Sequence, residues 1–168
     1  FIYFLSQELK VPVNKIKSVV LGGHGDSMVA MLGATIVEGK KINDLVNEGK
    51  ISKEKLDQIV ERTKKGGAEI VKFLEKGSAF YAPAASGVEM AECYLKDLKK
   101  QLPCAVHLNG EYGTKDIYAG VPVIIGSKGV EKVIELDLST EEKNNFDNSI
   151  KAVKELFDAA KKIDPELN

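Results

Sequence analysis

The rhythm of this chain changes at Pro103. Beyond it, Cys104 to Leu108, Ile117 to Ile125 and Val130 to Leu138 are runs of apolar and β-branched residues, set apart by Asn109-Gly110 and by Ser127-Lys128-Gly129. Such runs between turn residues read as three strands, and consecutive antiparallel pairing is their simplest topology. Pro122 has no amide donor, so its strand is expected to have an edge or a bulge there. His107 is expected to be a half-buried strand residue, since no spacing of carboxylates or cysteines around it suits a metal. Ser139-Thr140-Glu141-Glu142 is a capping box, and Phe146, Ile150, Val153, Phe157 and Ala160 then predict an amphipathic terminal helix ending near Asp164-Pro165.

Before Pro103 the pattern is mostly helical. Phe1 to Leu9 reads as the end of a helix, stopped at Val11-Pro12 because the residue before proline avoids helical angles. Ser18 to Leu21 and Val29 to Val37 read as two extended segments, expected to form a hairpin-like pair with a loop at its open end. Asn43 to Asn47 suggests a helical turn ended by Gly49, and Ser52 caps a helix carrying Leu56, Ile59, Val60 and Thr63. Gly66-Gly67 interrupts the pattern before Ile70, Val71, Phe73 and Leu74 resume it; a close helix contact is the expected reason, a hinge the alternative. A further helix is predicted with Val88, Ala91, Tyr94, Leu95, Leu98 and Leu102 along one face. The fold class is therefore α+β, an antiparallel sheet with packed helices.

The loop between the two early extended segments reads Gly22-Gly23-His24-Gly25-Asp26-Ser27-Met28. Glycines beside His24 remove Cβ bulk, so a substrate could press against the main chain next to the ring. Histidine is the side chain whose ordinary pKa suits proton exchange near neutrality, which makes His24 the candidate general acid/base. Gly22, Gly25 and Asp26 are expected to support the loop, the Asp26 carboxylate by accepting backbone N–H bonds. A relay role for Asp26 toward His24 is the alternative, two residues being within reach in some turns.

Composition narrows the function classes. With 168 residues, 43% of them hydrophobic, one domain can bury roughly two thirds of its unfolded surface without metals or disulfides. Lysine plus arginine, 24, nearly balances aspartate plus glutamate, 25, so no strong field invites nucleic acid or a membrane surface. Cys93 and Cys104 are too few for a zinc site and are expected to be buried thiols, one in a helix and one in a strand. Free cysteines and the lack of a long apolar stretch favour the cytoplasm. A carboxylate is clamped best by a guanidinium fork, and Arg62 is the one arginine, on the charged side of its predicted helix. Arg62 is expected to be a solvated or ion-paired surface group, which leaves this chain without a carboxylate clamp.

The histidine loop, together with Glu61 to Ile70, Gly77 to Ser86 and Gly120 to Gly126, resembles the C-terminal, substrate-binding half of the lactate/malate dehydrogenase family. The resemblance covers nearly the whole chain and implies the antiparallel fold of that domain, over 1–168. Gly23 and Met28 are similar to the malate branch of bacterial, lactate-dehydrogenase-like type. It further implies NAD-dependent interconversion of malate and oxaloacetate with His24 exchanging the hydroxyl proton, and Gly23, Ser78 and Ala79 near the substrate. No G-x-G-x-x-G follows a strand, so the Rossmann half is expected to be missing and no NAD to be bound by this chain alone. The apolar start Phe1-Ile2-Tyr3-Phe4-Leu5 reads as mid-helix, and the family's relay aspartate and carboxylate-binding arginine lie just upstream of the phenylalanine that Phe1 resembles. The implied partners are the chain's own N-terminal domain and further copies in a homo-oligomer. Another 2-hydroxy-acid dehydrogenase and a noncatalytic oligomerisation module are the alternatives.

Overall fold

The computed structural model describes residues 1–167, so Asn168, the last residue of the expected domain, lies outside the described residues. Helix α1 (Ile2–Leu9) ends where Lys10 turns left-handed at φ 57 and donates its N–H to Ser6 O, just ahead of Val11-Pro12. Strands β1 (Ile16–Lys17), β2 (Val20–Leu21), β3 (Val29–Ala30), β4 (Ile36–Val37) and β5 (Lys40–Lys41) follow as two small antiparallel sheets, β1-β4-β5 and β2-β3. The extended run expected over Val29 to Val37 is therefore two strands. Between them the chain turns, with Thr35 N–H on Leu32 O and the buried Thr35 hydroxyl donating to Met31 O at 2.6 Å.

Helices α2 (Ile42–Asn47) and α3 (Lys53–Lys64) come next, the latter capped by Ser52, whose hydroxyl accepts from Lys55 N–H. α4 (Gly66–Leu74) begins directly after a break at Lys65. A side chain added at Gly66 or Gly67 would meet nothing within 4 Å, so the close contact expected there is absent among the described residues. α5 (Tyr81–Leu95) stops short of Leu98 and Leu102, which sequence periodicity had placed on it. Asp97 and Lys99 turn left-handed, Leu98 N–H closes the helix end on Cys93 O, and Leu102 enters the next strand as a buried residue. Leucine spacing continued by coincidence past a backbone that had already left the helix.

Strands β6 (Lys100–Asn109), β7 (Lys115–Gly126) and β8 (Gly129–Val133) form the expected antiparallel meander, β6-β7-β8. Pro122 sits opposite Pro103 in the central strand, not at an edge. Its carbonyl faces the β8 side and accepts from Ile134 N–H at 2.8 Å, and the Ile134 carbonyl, which an amide donor at 122 would have faced, accepts instead from the Tyr112 hydroxyl at 2.8 Å. β8 is shorter than the expected Val130 to Leu138. His107 is exposed rather than half-buried: Leu102, Cys104, Val106 and Leu108 alternate inward along β6, which turns His107 outward against Tyr118, ring centroids 5.3 Å apart.

α6 (Thr140–Ile163) opens on the expected capping box. Phe146 and Ile150 pack it against the sheet and the β2-β3 hairpin, in a core with Leu21, Val29, Leu108 and Val121. A second core joins α1, α2, α3 and the β1-β4 pair through Leu5, Ile16, Val37, Ile42, Leu56 and Ile59. No described helix is long and apolar enough to cross a membrane.

Candidate active site

Strands β2 and β3 pair antiparallel, Val20 with Ala30 and Leu21 with Val29, and display residues 22–28 at their open end. Within that loop a turn over Gly25–Ser27 is closed by Met28 N–H on Gly25 O at 3.1 Å. Gly25 holds φ +79 with open space around it, so its requirement is conformational alone.

Gly22 and Gly23 are required by neighbours. Gly22 N–H donates to Gly120 O and Gly120 N–H to Gly22 O, both at 2.8 Å, joining the loop to β7. A Cβ on Gly120 would lie 2.9 Å from Gly22 O, which is why the central strand carries a glycine. On the other side, Gly23 N–H donates to the hydroxyl of Ser149 on α6 at 2.8 Å. A Cβ on Gly22 would lie 2.2 Å from Ser149 Oγ, and one on Gly23 would lie 2.9 Å from Val153 Cγ2. The loop is thus set between a glycine notch in β7 and the inward face of α6.

His24 is exposed and lines a groove of about 360 Å³ with Val20, Met28, Cys104, Tyr118 and Val153. Burial pushes the Cys104 thiol up, and neighbouring Cys93 and Glu89 add to it. Asp26 lines a different cavity, of about 460 Å³, with Asn43, Lys53, Asp57 and Asn145. No hydrogen bond joins Asp26 to His24 among the described residues, so the relay alternative for Asp26 finds no support here. Nor does its carboxylate take part in the hydrogen bonds that hold the loop among the described residues, which run through Gly22, Gly23 and Ser149. Ser78 and Ala79 lie in the connection between α4 and α5 and line neither of these cavities.

Arg62 is engaged elsewhere. Its guanidinium bonds the Glu69 carboxylate at 2.5 and 3.0 Å and lies 4.3 Å over the Phe4 ring centroid, as a surface group with its pKa raised by the Glu69 hydrogen bond. Among the described residues no three or more His, Cys, Asp or Glu gather to hold a metal ion. Among the described residues, neither cavity carries the glycine turn from a strand into an α-helix N-terminus that would cradle a dinucleotide pyrophosphate.

Ser149, Gly120 and Val153 entered the site only with the structure. Two signals stood in the sequence: a glycine within an apolar strand marks close approach of another backbone, and a serine among the inward positions Phe146, Ile150 and Val153 marks a buried hydroxyl with a partner.

Residues 1–163 match the lactate/malate dehydrogenase, alpha/beta C-terminal domain. A malate dehydrogenase of Pelagibacter ubique is 65% identical over all 168 residues, which are 52% of that protein, so the chain spans about half the length of the curated relative it matches. Among solved structures, malate dehydrogenase of Cryptosporidium parvum is similar with a TM-score of 0.92 and 40% identity, over 96% of this chain and 51% of that one. Lactate dehydrogenase of Eimeria maxima, solved with NADH and oxamate, is similar with a TM-score of 0.92 and 40% identity, over 98% and 51%.

Proposed function

This chain belongs to the lactate/malate dehydrogenase family, whose alpha/beta C-terminal domain it matches, and on that premise we propose that it is the acid–base half of a malate dehydrogenase with His24 as its proton-transfer group. The observation that carries the reading is an exposed imidazole at a groove, on a loop held from two sides, in a chain 65% identical to a malate dehydrogenase. In the forward direction the His24 imidazole takes the C2 hydroxyl proton of malate as the C2–H bond gives up its hydride, and oxaloacetate is left. In reverse, protonated His24 hydrogen-bonds the ketone oxygen and returns the proton as hydride arrives at carbon. The hydride is accepted or supplied by NAD, held by a nucleotide-binding half outside this chain.

Two absences in the sequence fit that division: no pyrophosphate fingerprint, and an only arginine already paired with Glu69. The 168-residue chain is therefore silent by itself, and the whole protein turns over. Absorbance of reduced nicotinamide, followed with oxaloacetate, is the test: the protein completed with its nucleotide-binding half oxidises NADH, and His24→Asn abolishes turnover. Activity of the chain alone above that of His24→Asn refutes the half-site reading, and an active His24→Asn in the completed protein refutes the acid–base role.

A lactate dehydrogenase is as similar in fold to this chain as a malate dehydrogenase is, so fold does not choose the substrate. The 65% identity to a malate dehydrogenase supports malate as the first reading, and pyruvate against oxaloacetate as substrate decides it. Phe73, Tyr81, Val88 and Leu95 on α4 and α5 are exposed apolar side chains, which fits a domain that works in contact with its own N-terminal half and further copies. Light scattering measures that association.

A further inference from the structure

We infer that Ser149 is a positioning residue for His24, and that it acts by locking the peptide plane immediately before the histidine's neighbour. The inference rests on the acid–base role proposed for His24, and deepens it.

The unit concerned is the Gly22–Gly23 peptide. Its carbonyl accepts from Gly120 N–H at 2.8 Å, on β7, and its N–H donates to Ser149 Oγ at 2.8 Å, on α6. A peptide plane between two glycines is the least constrained kind in a chain, because neither flanking residue has a Cβ to bias its rotation. Sterics that hold other planes in place are absent here, so the two hydrogen bonds select its orientation. One comes from the sheet and one from a helix 126 residues further along. His24 follows one residue later, and its ring direction inherits whatever rotation that plane has.

Ser149 suits this task and few residues would. It is 2% exposed, so water does not compete for its hydroxyl. Its oxygen occupies the space that the missing Cβ of Gly22 leaves free, 2.2 Å from where that carbon would be. A glycine at 22 and a serine at 149 are thus one fitted pair. Alanine at 149 would empty the notch and leave the Gly23 N–H without its acceptor, and the plane would then be held from the sheet side only.

The chain offers its own control. It has two histidines, and His107 is exposed on β6 beside Tyr118, outside both the loop and the groove. Carbethoxylation by diethyl pyrocarbonate, quantified for each histidine by mass spectrometry, and the imidazole Cε1–H resonances together report the setting of each ring. In Ser149→Ala the reaction rate of His24 is expected to shift several-fold and its resonance to broaden or double, with His107 unchanged. Ser139→Ala loosens the start of the same helix away from the groove while keeping the Ser149 hydroxyl, and is expected to leave the His24 resonance single. A folded Ser149→Ala whose His24 rate and resonance match the parent overturns the inference, as does a Ser139→Ala that moves His24 equally. Where the alanine variant does not fold, Ser149→Cys, a poor acceptor of related shape, is read in the same way with the same outcomes. These readouts do not use turnover. If His24 responds to Ser149→Ala while His24→Asn leaves the completed protein active, the dehydrogenase role fails and the positioning stands.

Discussion

Replacing Gly22 by alanine tests how the histidine loop is held. At φ +90 a Cβ costs about 1–2 kcal/mol through its clash with the backbone. The same carbon would lie 2.2 Å from Ser149 Oγ and 2.8 Å from Ser149 Cβ, an overpacking that costs a further 1–3 kcal/mol or so. The sum, about 2–5 kcal/mol, is a large part of the roughly 5–15 kcal/mol by which a domain is stable. Gly25→Ala isolates the first contribution, because Gly25 has φ +79 and nothing within 4 Å; it should lose only about 1–2 kcal/mol. Gly87→Ala, inside α5 with open space around it, should gain about 0.5–1 kcal/mol. Urea unfolding of the three variants gives the order directly, as midpoints that move at constant slope. Adding Ser149→Gly to Gly22→Ala removes the steric conflict, so the double variant should be more stable than the sum of the singles by roughly 0.5–3 kcal/mol, as for residues in direct contact. A Gly22→Ala that loses no more than Gly25→Ala would refute the fit between loop and helix.

Other consequences are local. The buried Tyr112 hydroxyl donates to Ile134 O at 2.8 Å and accepts from Leu136 N–H at 3.0 Å, so Tyr112→Phe strands both groups and should cost about 1–3 kcal/mol in thermal or urea unfolding. Burial raises the Tyr112 pKa, opposed by the Leu136 bond. A raised folded-state value keeps its stability below the unfolded phenol's pKa of about 10 and loses it as pH rises through the folded value; melting of the parent should fall more steeply there than that of Tyr112→Phe. Ser139→Ala should cost about 0.5–2 kcal/mol through the cap on α6. Glu142→Ala should cost more than Ser139→Ala in the same melting assay, because its carboxylate accepts from Ser139 N–H and also tethers Gly33 N–H at 2.8 Å.

What the sequence made legible was whatever neighbours in the chain decide. The capping box needs only Ser139 and Glu142, and Ser52 caps α3 from three residues away. The hairpin that displays His24 follows from apolar runs on either side of the glycines. Where distant segments decide, reading along the chain failed. Leucines at 95, 98 and 102 keep a helical rhythm that the left-handed turns at Asp97 and Lys99 ignore. Pro122 reads as an edge residue because the Tyr112 hydroxyl, which satisfies the Ile134 carbonyl in place of an amide donor at 122, comes from a distant turn. His107 could have been placed outward from alternation alone, since Leu102, Cys104, Val106 and Leu108 claim the inner face. Asp26 was expected to brace the loop, and the bracing comes instead from β7 and α6.

That difference is what would let a short glycine cluster serve as the site proposed above. Glycines confer close approach but forfeit the side-chain sterics that would fix the backbone, and each loses more conformational freedom on folding than any other residue. A local sequence of this kind cannot specify its own shape, so the specification has to come from elements that are rigid for other reasons. β7 is the central strand of the sheet and α6 is anchored through Phe146, which is fully buried. Each supplies one hydrogen bond to the same peptide, from opposite sides. A set imidazole and an open approach to it are therefore compatible here: openness is supplied by the loop, and rigidity by the sheet and helix that hold it.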